Sequence, residues 1–171
     1  MPGRDWLGSR RAEVAADRIL DAAGALFAEH DVAGVGMNDI ARAAGCSRAT
    51  LYRYFENREV LHTAYVHREA YRLHEHMTGL IGEIEDPRER LLAGLTTSMR
   101  LVRESPALSG WFATADSPIG AEMAEQSEVI QALTAGFLLS LHPDDPAAVH
   151  RRARWLVRVL TSLLIFPGRD A

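Results

Sequence analysis

Residues 37–55 read MNDIARAAGCSRATLYRYF, and the interpretation of the whole chain begins with this stretch. Two short helices that cross closely need a small residue where they touch, a residue that tolerates positive φ in the turn, and an apolar residue that locks the second helix. Ala41, Gly45 and Leu51 have these properties and stand in that order. Ser47 is of the type that caps a helix N-terminus. The stretch therefore predicts a helix-turn-helix with helices over residues 37–44 and 47–55.

The second helix of such a motif enters the major groove of DNA, with its N-terminal residues at base edges and flanking residues on phosphates. A helix, glycine, helix pattern also occurs in helical proteins that bind no DNA, so the pattern alone leaves both interpretations open. Three further features favour DNA. Arg58 stands at the start of the next helix, and the short helix carries polar donors and closely spaced aromatic residues, namely Arg48, Thr50, Tyr52, Arg53, Tyr54 and Phe55.

The charge is distributed unevenly along the chain. The net charge is −4, but residues 1–58 contain eight Arg and eight acidic residues, so the excess of acid lies entirely in residues 59–171. Between Arg42 and Arg58 four Arg stand against Glu56 alone, which gives a local charge of +3. A small basic patch of this kind is typical of a surface that faces phosphates, whereas the overall charge argues against a protein that coats nucleic acid.

The composition excludes several other classes of protein. With 47% apolar and 25% charged residues the chain is expected to be globular, not disordered. A single cysteine, Cys46, cannot form a disulfide within the chain, which favours the reducing cytoplasm. The longest uncharged apolar run, residues 129–141, is shorter than the roughly 20 residues that a bilayer requires, and no signal peptide is recognisable near the N-terminus. No membrane is therefore expected among the partners.

The predicted fold class is all-α, because Gly and Pro interrupt the chain at intervals that fit helices and no segment alternates as a strand does. Beyond the motif, helices are predicted over residues 11–30, 57–84, 86–105, 117–141 and 145–166, with a short piece through Trp111 and Phe112. The helical spacing places Ile19, Ala23, Leu26, Phe27 and His30 on one face of the first helix, and Leu91, Leu92, Leu95, Met99 and Val102 on one face of the helix over 86–105.

The order and spacing of several short segments resemble the tetracycline-repressor (TetR) family of bacterial transcriptional regulators. The segments are Ile19–Ala23, Leu26–Phe27, Asp39–Ala41, Ala44–Ser47, Thr50–Tyr52, Tyr54–Phe55 and Arg58–Leu61. The resemblance implies a homodimer with a three-helix DNA-binding head over residues 1–56 and a helical body over residues 57–171 that binds a small ligand and dimerises. It further implies a repressor that a small apolar ligand releases from a palindromic operator in double-stranded DNA.

The resemblance also assigns DNA-binding roles to individual residues. Arg48, Ala49 and Thr50 occupy the base-reading positions, and Arg48 can bind guanine through two hydrogen bonds. Two departures from the family pattern are visible. Gly36 stands where a capping Thr or Ser that touches phosphate is usual, so the contact passes to the backbone or to Asn38, and Cys46 replaces a valine and is expected to be buried. The positions expected on phosphates are those of Tyr52, Tyr54 and Arg58.

The body offers candidates for a ligand cavity and for a dimer interface. The cavity candidates are side chains of the types that line apolar cavities, although each of them also suits an ordinary core: Met99, Trp111, Phe112, Met123 and Phe137. The helix over residues 145–166 is apolar around much of its circumference and is the best candidate for dimerisation. Family members usually have a further helix after this one, so either a short body or a longer protein is possible.

Metal, cofactor and catalytic chemistry find little support in the sequence. No two of the seven histidines have the i, i+4 spacing of a helical zinc site, so neither a metal nor a cofactor is expected. The acidic series Glu122, Glu125 and Glu128 lacks an accompanying histidine and is expected to be a solvated face. A helical ligand-binding protein without specific DNA binding is the main alternative to a regulator. An all-α enzyme is a third, but the sequence shows no paired nucleophile and base.

Overall fold

The structure is a computed structural model that describes residues 6–112 and 119–166, with side chains from residue 12 onward. Within these residues every regular element is a helix, which confirms the all-α fold class. The chain divides into two compact units, Met1–Tyr65 and Val66–Ala171, and the division falls inside the fourth helix, while the functional boundary after residue 56 stays a prediction. The helices are α1 Trp6–Glu29, α2 Met37–Ala43, α3 Arg48–Tyr54, α4 Arg58–Ile81, α5 Pro87–Glu104, α6 Pro106–Ser109, α7 Ile119–Gln126, α8 Glu128–Leu141 and α9 Pro146–Ile165.

The first unit has a continuous apolar core around Phe27. The Phe27 ring packs edge-on against Tyr65, with ring centroids 5.1 Å apart. Gly24 makes room for this contact, because a Cβ at Gly24 would lie 3.1 Å from Cε2 of Tyr65. The other fully buried residues of the unit come from α1 to α4 and from the segment between α1 and α2, and include Ala23, Val32, Ile40, Leu51 and Leu61. The core thus fixes α2 and α3 relative to α1.

The second unit is built on α8 and α9, which pack along each other and against α5 and α7. Its helices begin where the sequence provides caps: Asp86 Oδ1 accepts from the Glu89 N–H over 2.8 Å, and Asp145 Oδ2 accepts from the Ala148 N–H over 3.0 Å. Met77, Ile81 and Phe137 form a buried cluster between α4 and α8. A proline follows each of the two capping acids, as predicted for helix starts.

The prediction of one helix over residues 117–141 is wrong, because the chain breaks between α7 and α8. Ser127 has extended backbone angles, and its Oγ accepts from the Ile130 N–H over 3.1 Å. Gln131 Nε2 donates to the Glu125 carbonyl oxygen over 2.7 Å and so satisfies an acceptor near the end of α7. The side chains of Ser127 and Gln131 therefore replace the backbone bonds of a continuous helix. Residues 117 and 118, which were predicted to open this helix, lie outside the described residues.

Two predicted buried positions are exposed in the structure. Leu92 was placed on the apolar face of α5, but 54% of its surface is accessible. His30, placed on the apolar stripe of α1, is exposed just after the last residue of that helix. In both cases the helical spacing puts the residue near the edge of the buried face, where the packing partner decides its burial.

In the described part of the chain, no helix is long and apolar enough to span a bilayer.

Candidate nucleic-acid interface and ligand cavity

The turn between α2 and α3 has the geometry that the sequence predicted. Gly45 has φ of 67°, the left-handed region that suits glycine. The Cys46 N–H then donates to the Ala41 carbonyl oxygen over 3.0 Å, which closes the turn onto α2. Cys46 itself is half-buried instead of buried as predicted. Ser47 caps α3 by accepting from the Thr50 N–H over 3.1 Å, and Leu51 is fully buried beneath the helix.

The outer face of α3 is exposed and cationic. Arg48, Ala49, Tyr52 and Arg53 are all exposed, with 38% of the Tyr52 surface accessible. The guanidinium carbon of Arg48 lies 5.5 Å from the centre of the Tyr52 ring, and that of Arg53 lies 5.2 Å from the centre of the half-buried Tyr54 ring. Cation–π contacts hold both arginines against aromatic rings. The helix therefore presents positive charge and hydrogen-bond donors on a rigid support.

The remaining candidates beside α3 differ in their freedom to bind a partner. Asn38 is exposed at the second position of α2. The Gly36 N–H donates to Oδ2 of Asp39 over 3.3 Å, so this backbone group already has an acceptor, and Asn38 is the freer donor of the two. Thr50 is half-buried, and its hydroxyl lies 2.8 Å from Oγ of Ser47, so the two hydroxyls share a hydrogen bond.

Arg58 joins the start of α4 to the segment between α1 and α2. Its Nη2 donates to the carbonyl oxygens of Val32 over 2.7 Å and of Ala33 over 2.8 Å. Its Nε donates to Nε2 of His62, one turn further along α4, over 3.4 Å. The side chain is half-buried, and these acceptors use much of its donor capacity. A structural role for Arg58 is thus visible that sequence reasoning missed, because the contact spans 26 residues of sequence.

His62 is a second residue whose structural role sequence reasoning missed. It is buried, with 6% of its surface accessible, and its ring packs edge-on against Phe27 at 5.5 Å between centroids. Burial, and secondly the charge of Arg58, lower the pKa of His62 from 6.5 to about 4. The ring is therefore neutral at neutral pH, and Nε2 is available to accept from Arg58. A histidine four residues after an arginine on one helix is the only sequence signal for this pair.

The second unit contains a cavity of about 190 Å³ between its helices. Of the five predicted ligand-binding residues, Met99, Trp111, Phe112 and Phe137 lie in its wall, whereas Met123 does not line it. Helices α4, α5, α8 and α9 supply most of the remaining wall with aliphatic side chains, which include Val66, Leu73, Met77, Leu95, Val102, Ile130, Leu133, Leu156, Leu160 and Leu164. The structure thus brings together residues that are up to 98 positions apart in sequence, as Val66 and Leu164 are.

In the described ranges, no group of three His, Cys, Asp or Glu side chains is close enough to hold an ion, and the absence of a metal stays a prediction. The acidic series is also divided, because Glu128 begins α8 after the break at Ser127. Glu125 binds Arg158 of α9 over 3.2 Å and so ties α7 to α9. These carboxylates are structural and solvent-facing, and no catalytic arrangement of them is visible in the described part of the second unit.

Comparison with known proteins identifies relatives both of the helix-turn-helix region and of the chain as a whole. The family model "Bacterial regulatory proteins, tetR family" matches residues 19–65, which contain α2, α3 and the start of α4. An uncharacterised HTH-type transcriptional regulator of Mycobacterium tuberculosis is 63% identical over 99% of this chain and 84% of its own length. The similarity therefore extends through the second unit as well as the first.

Solved structures of low sequence identity share the fold. RolR, solved in complex with resorcinol, superposes with a TM-score of 0.70 over 95% of this chain and 83% of its own, at 20% identity. The TetR family repressor AlkX from Dietzia, which is implicated in the biodegradation of n-alkanes, superposes with a TM-score of 0.60 over 90% of this chain and 84% of its own, at 24% identity. At these sequence identities, the two superpositions show that the fold is shared.

Proposed function

The chain belongs to the tetR family of bacterial regulatory proteins, and from that premise we propose that it is a homodimeric repressor, released from a palindromic operator when a small ligand fills the cavity of its second unit. It is a DNA-binding transcriptional regulator and not an enzyme. An operator of a bacterial regulator lies in the cytoplasm, so we expect the protein to act there. The observation that carries the proposal is the exposed, cationic face of α3.

The contacts proposed with DNA follow from the geometry of that face. Arg48 stands at the first position of α3, the end that reaches base edges in this motif, and its stacked guanidinium can donate two parallel hydrogen bonds to guanine. Ala49 leaves space for a thymine methyl or a base edge beside it. The other hydroxyl and amide donors of this surface bind phosphates or neighbouring bases, namely Asn38, Thr50, Tyr52 and Tyr54.

The role of Arg58 in this scheme is indirect. Since its Nη2 and Nε donate to Val32, Ala33 and His62, we propose that Arg58 mainly positions the segment between α1 and α2 and reaches phosphate only with Nη1. This segment precedes α2, whose N-terminus carries Asn38. Arg58 is thus a positioning residue in the proposal, and its contribution to DNA affinity is expected to pass largely through the fold.

A twofold dimer through α8 and α9 is supported by apolar side chains that have no cover in one chain. Trp155 and Phe166 are each 65% exposed, Leu139 is 45% exposed, and Leu163 is 42% exposed. Residues 155 and 163 lie on one side of α9, because a spacing of eight residues returns to the same side of a helix, and Phe166 follows directly as the C-cap of α9. At Gly136 of α8 an added Cβ would meet nothing within 4 Å, so another chain can approach this helix closely. Exposed apolar patches of this kind usually meet a partner.

The proposed release by ligand rests on the cavity and on α4. Helix α4 is continuous from Arg58 to Ile81, and residues in its second half line the cavity. A ligand that favours one position of α4 would shift the population of head spacings in the dimer, and recognition helices must stand about 34 to 36 Å apart to enter successive major grooves. The resorcinol bound to RolR supports a small molecule as the occupant.

Selection of DNA fragments from the source genome tests the function directly. The full chain is mixed with sheared genomic DNA, bound fragments are sequenced, and the affinity for the enriched fragment is measured at several salt concentrations. We expect a palindromic site, and we expect Arg48→Ala to weaken binding by about 1 to 3 kcal/mol. Arg100→Ala, which removes an exposed arginine from α5, is the matched control and should leave the affinity unchanged. No enriched sequence, or equal effects of the two variants, would favour a ligand-binding protein without specific DNA binding.

A further inference from the structure

The size of the cavity limits its occupant. An engineered apolar cavity of about 150 Å³ accommodates benzene, and one water occupies about 30 Å³ in the liquid. The cavity of about 190 Å³ therefore holds one six-membered ring together with roughly one further small substituent. A long chain or a fused ring system would have to extend beyond it or widen it.

The charge of the wall limits the occupant further. Apart from the imidazole of His74, the one ionisable side chain among the described wall residues is that of Glu69. It already binds Arg68 over 3.2 Å and Arg72 over 3.0 Å, so its charge is compensated by two guanidinium groups outside the wall. Transfer of an ion from water into such apolar surroundings without a partner is strongly unfavourable. The occupant is therefore expected to be uncharged.

Most polar groups of the wall are already engaged. Thr134 donates to the Ile130 carbonyl oxygen over 2.8 Å, and Thr161 donates to that of Arg158 over 3.0 Å, as helix-borne hydroxyls often do. Ser98 of α5 and His74 of α4 also line the cavity. For these two side chains, the described residues provide no hydrogen-bond partner, so a hydroxyl and an imidazole remain available to a ligand.

We propose that the cavity binds a small uncharged molecule of about one six-membered ring, with an apolar body and a hydroxyl group held by the Ser98 hydroxyl and the His74 imidazole. This inference rests on the proposed function, since it names the ligand class of the same regulatory cavity. Both anchors can donate and accept, so they can satisfy a hydroxyl that would otherwise be buried without partners. The aromatic and thioether side chains of Trp111, Phe137 and Met99 surround the apolar body.

The test uses phenol, toluene and benzoate as probes, with binding to the full chain measured by calorimetry or by ligand-detected NMR. Phenol and toluene have similar shapes but differ in the hydroxyl, and benzoate adds a charge. The variants are Ser98→Ala and His74→Leu, and the control is Ser162→Ala, an exposed serine of α9 outside the wall. Because toluene has no hydroxyl to dehydrate, each ligand is compared between variants and not with the other ligand.

We expect each anchor variant to weaken phenol binding about five- to tenfold, as loss of one hydrogen bond predicts. Toluene affinity should change less than about twofold in either anchor variant, since toluene makes no hydrogen bond there. The control should change neither ligand, and benzoate should bind at least about 100-fold more weakly than phenol. The proposal is overturned if phenol does not bind, if an anchor variant weakens phenol and toluene equally, or if benzoate matches phenol.

A second readout separates this inference from the proposed function. The selected operator fragment is bound to the protein, and its release is measured on adding phenol or the long-chain alcohol 1-dodecanol. Release by dodecanol without binding of phenol would overturn the ligand class and leave the repressor mechanism intact. Phenol binding with the expected variant pattern, while the operator stays bound, would support the ligand class and overturn ligand release as the mechanism.

Discussion

The Nη2 of Arg58 donates to the carbonyl oxygen of Val32 across 2.7 Å and so fastens the first turn of α4 to the segment that precedes α2. Val32 is almost fully buried, with 2% of its surface accessible. A backbone carbonyl in such a place needs a partner, and a charged donor supplies a stronger hydrogen bond than a neutral one. The stability of the DNA-binding unit therefore depends on a residue that the sequence suggested for phosphate.

Arg58→Ala is expected to lower the free energy of unfolding by about 2 kcal/mol, because the Val32 and Ala33 carbonyls lose a charged donor. The measurement is urea unfolding followed by circular dichroism. Arg53→Ala removes an exposed arginine of α3 and should change stability by less than about 0.5 kcal/mol. Equal stability of the Arg58→Ala variant and the unaltered protein would refute the positioning role.

The stability of the first unit should fall in mild acid because of His62. Its folded pKa is about 4 against 6.5 for the free side chain, so between these values the unfolded chain binds a proton that the folded chain does not. Protonation of His62 in the unfolded chain thus has no effect on the free energy of unfolding above pH 6.5. As the pH falls from 6.5 toward 4, it lowers that free energy by up to about 3 kcal/mol. His62→Gln should flatten this part of the pH profile of unfolding, whereas His30→Gln, at an exposed position, should leave it unchanged. Parallel profiles for the unaltered protein and His62→Gln would show that the histidine does not titrate in this way.

Gly94 of α5 is expected to tolerate no side chain. A Cβ at this position would lie 2.7 Å from Cζ and 3.0 Å from Cε1 of Phe137, so the ring must move. Gly94→Ala should lower the free energy of unfolding by about 1 to 2 kcal/mol despite the better helix propensity of alanine. Because Phe137 lines the cavity, ligand affinity should change as well.

Gly79→Ala is the matched control for that variant. An added Cβ at Gly79 meets nothing within 4 Å, and the residue is exposed within α4. Alanine there should raise stability by about 0.5 to 1 kcal/mol through helix propensity alone. If Gly94→Ala were as stabilising as Gly79→Ala, the close approach of Phe137 would be incorrect.

The dimer proposal predicts a particle of twice the 18.9 kDa chain mass in light scattering at micromolar concentration. Leu139→Asp and Trp155→Asp should shift this particle toward the monomer, because each would place a charge in an apolar interface. Leu92→Asp changes a side chain of similar exposure on α5 and should leave the mass unaltered. Dissociation by Leu92→Asp alone would move the interface away from α8 and α9.

The sequence predicted the elements whose signals are local. The turn depends on the positive φ of Gly45, and the cap depends on a hydrogen bond from the Thr50 N–H to Ser47, three residues away. For such local features the residue types alone are enough to predict the structure. The break at Ser127 was missed because apolar spacing continues on both sides of it and a serine within a helix is common. Arg58 and His62 could not be assigned, because their roles depend on which carbonyls and rings the fold brings near them.

The cavity was predicted in part for a similar reason. Methionine and aromatic side chains identified four wall residues, but Met123 does not line the wall, although Gly120 and Ala124 of the same helix, α7, do. The polar anchors Ser98 and His74 carry no pattern that distinguishes them from surface residues. Ser98 and His74 stand out as ligand anchors because the hydroxyls of Thr134 and Thr161 already donate to helix carbonyl oxygens. Only the three-dimensional structure shows these hydrogen bonds.

The stacking of Arg48 on Tyr52 bears on how discriminating the reading helix can be. A free arginine has many rotamers and loses up to about 2 kcal/mol of conformational entropy when it becomes fixed. Contact with the tyrosine ring removes part of this freedom before DNA arrives, so less is lost on meeting a base. Tyr52 would then increase sequence specificity at the base pair that Arg48 contacts, without touching that base pair itself. Loss of Tyr52 would reduce this specificity as well as the affinity for the DNA phosphates.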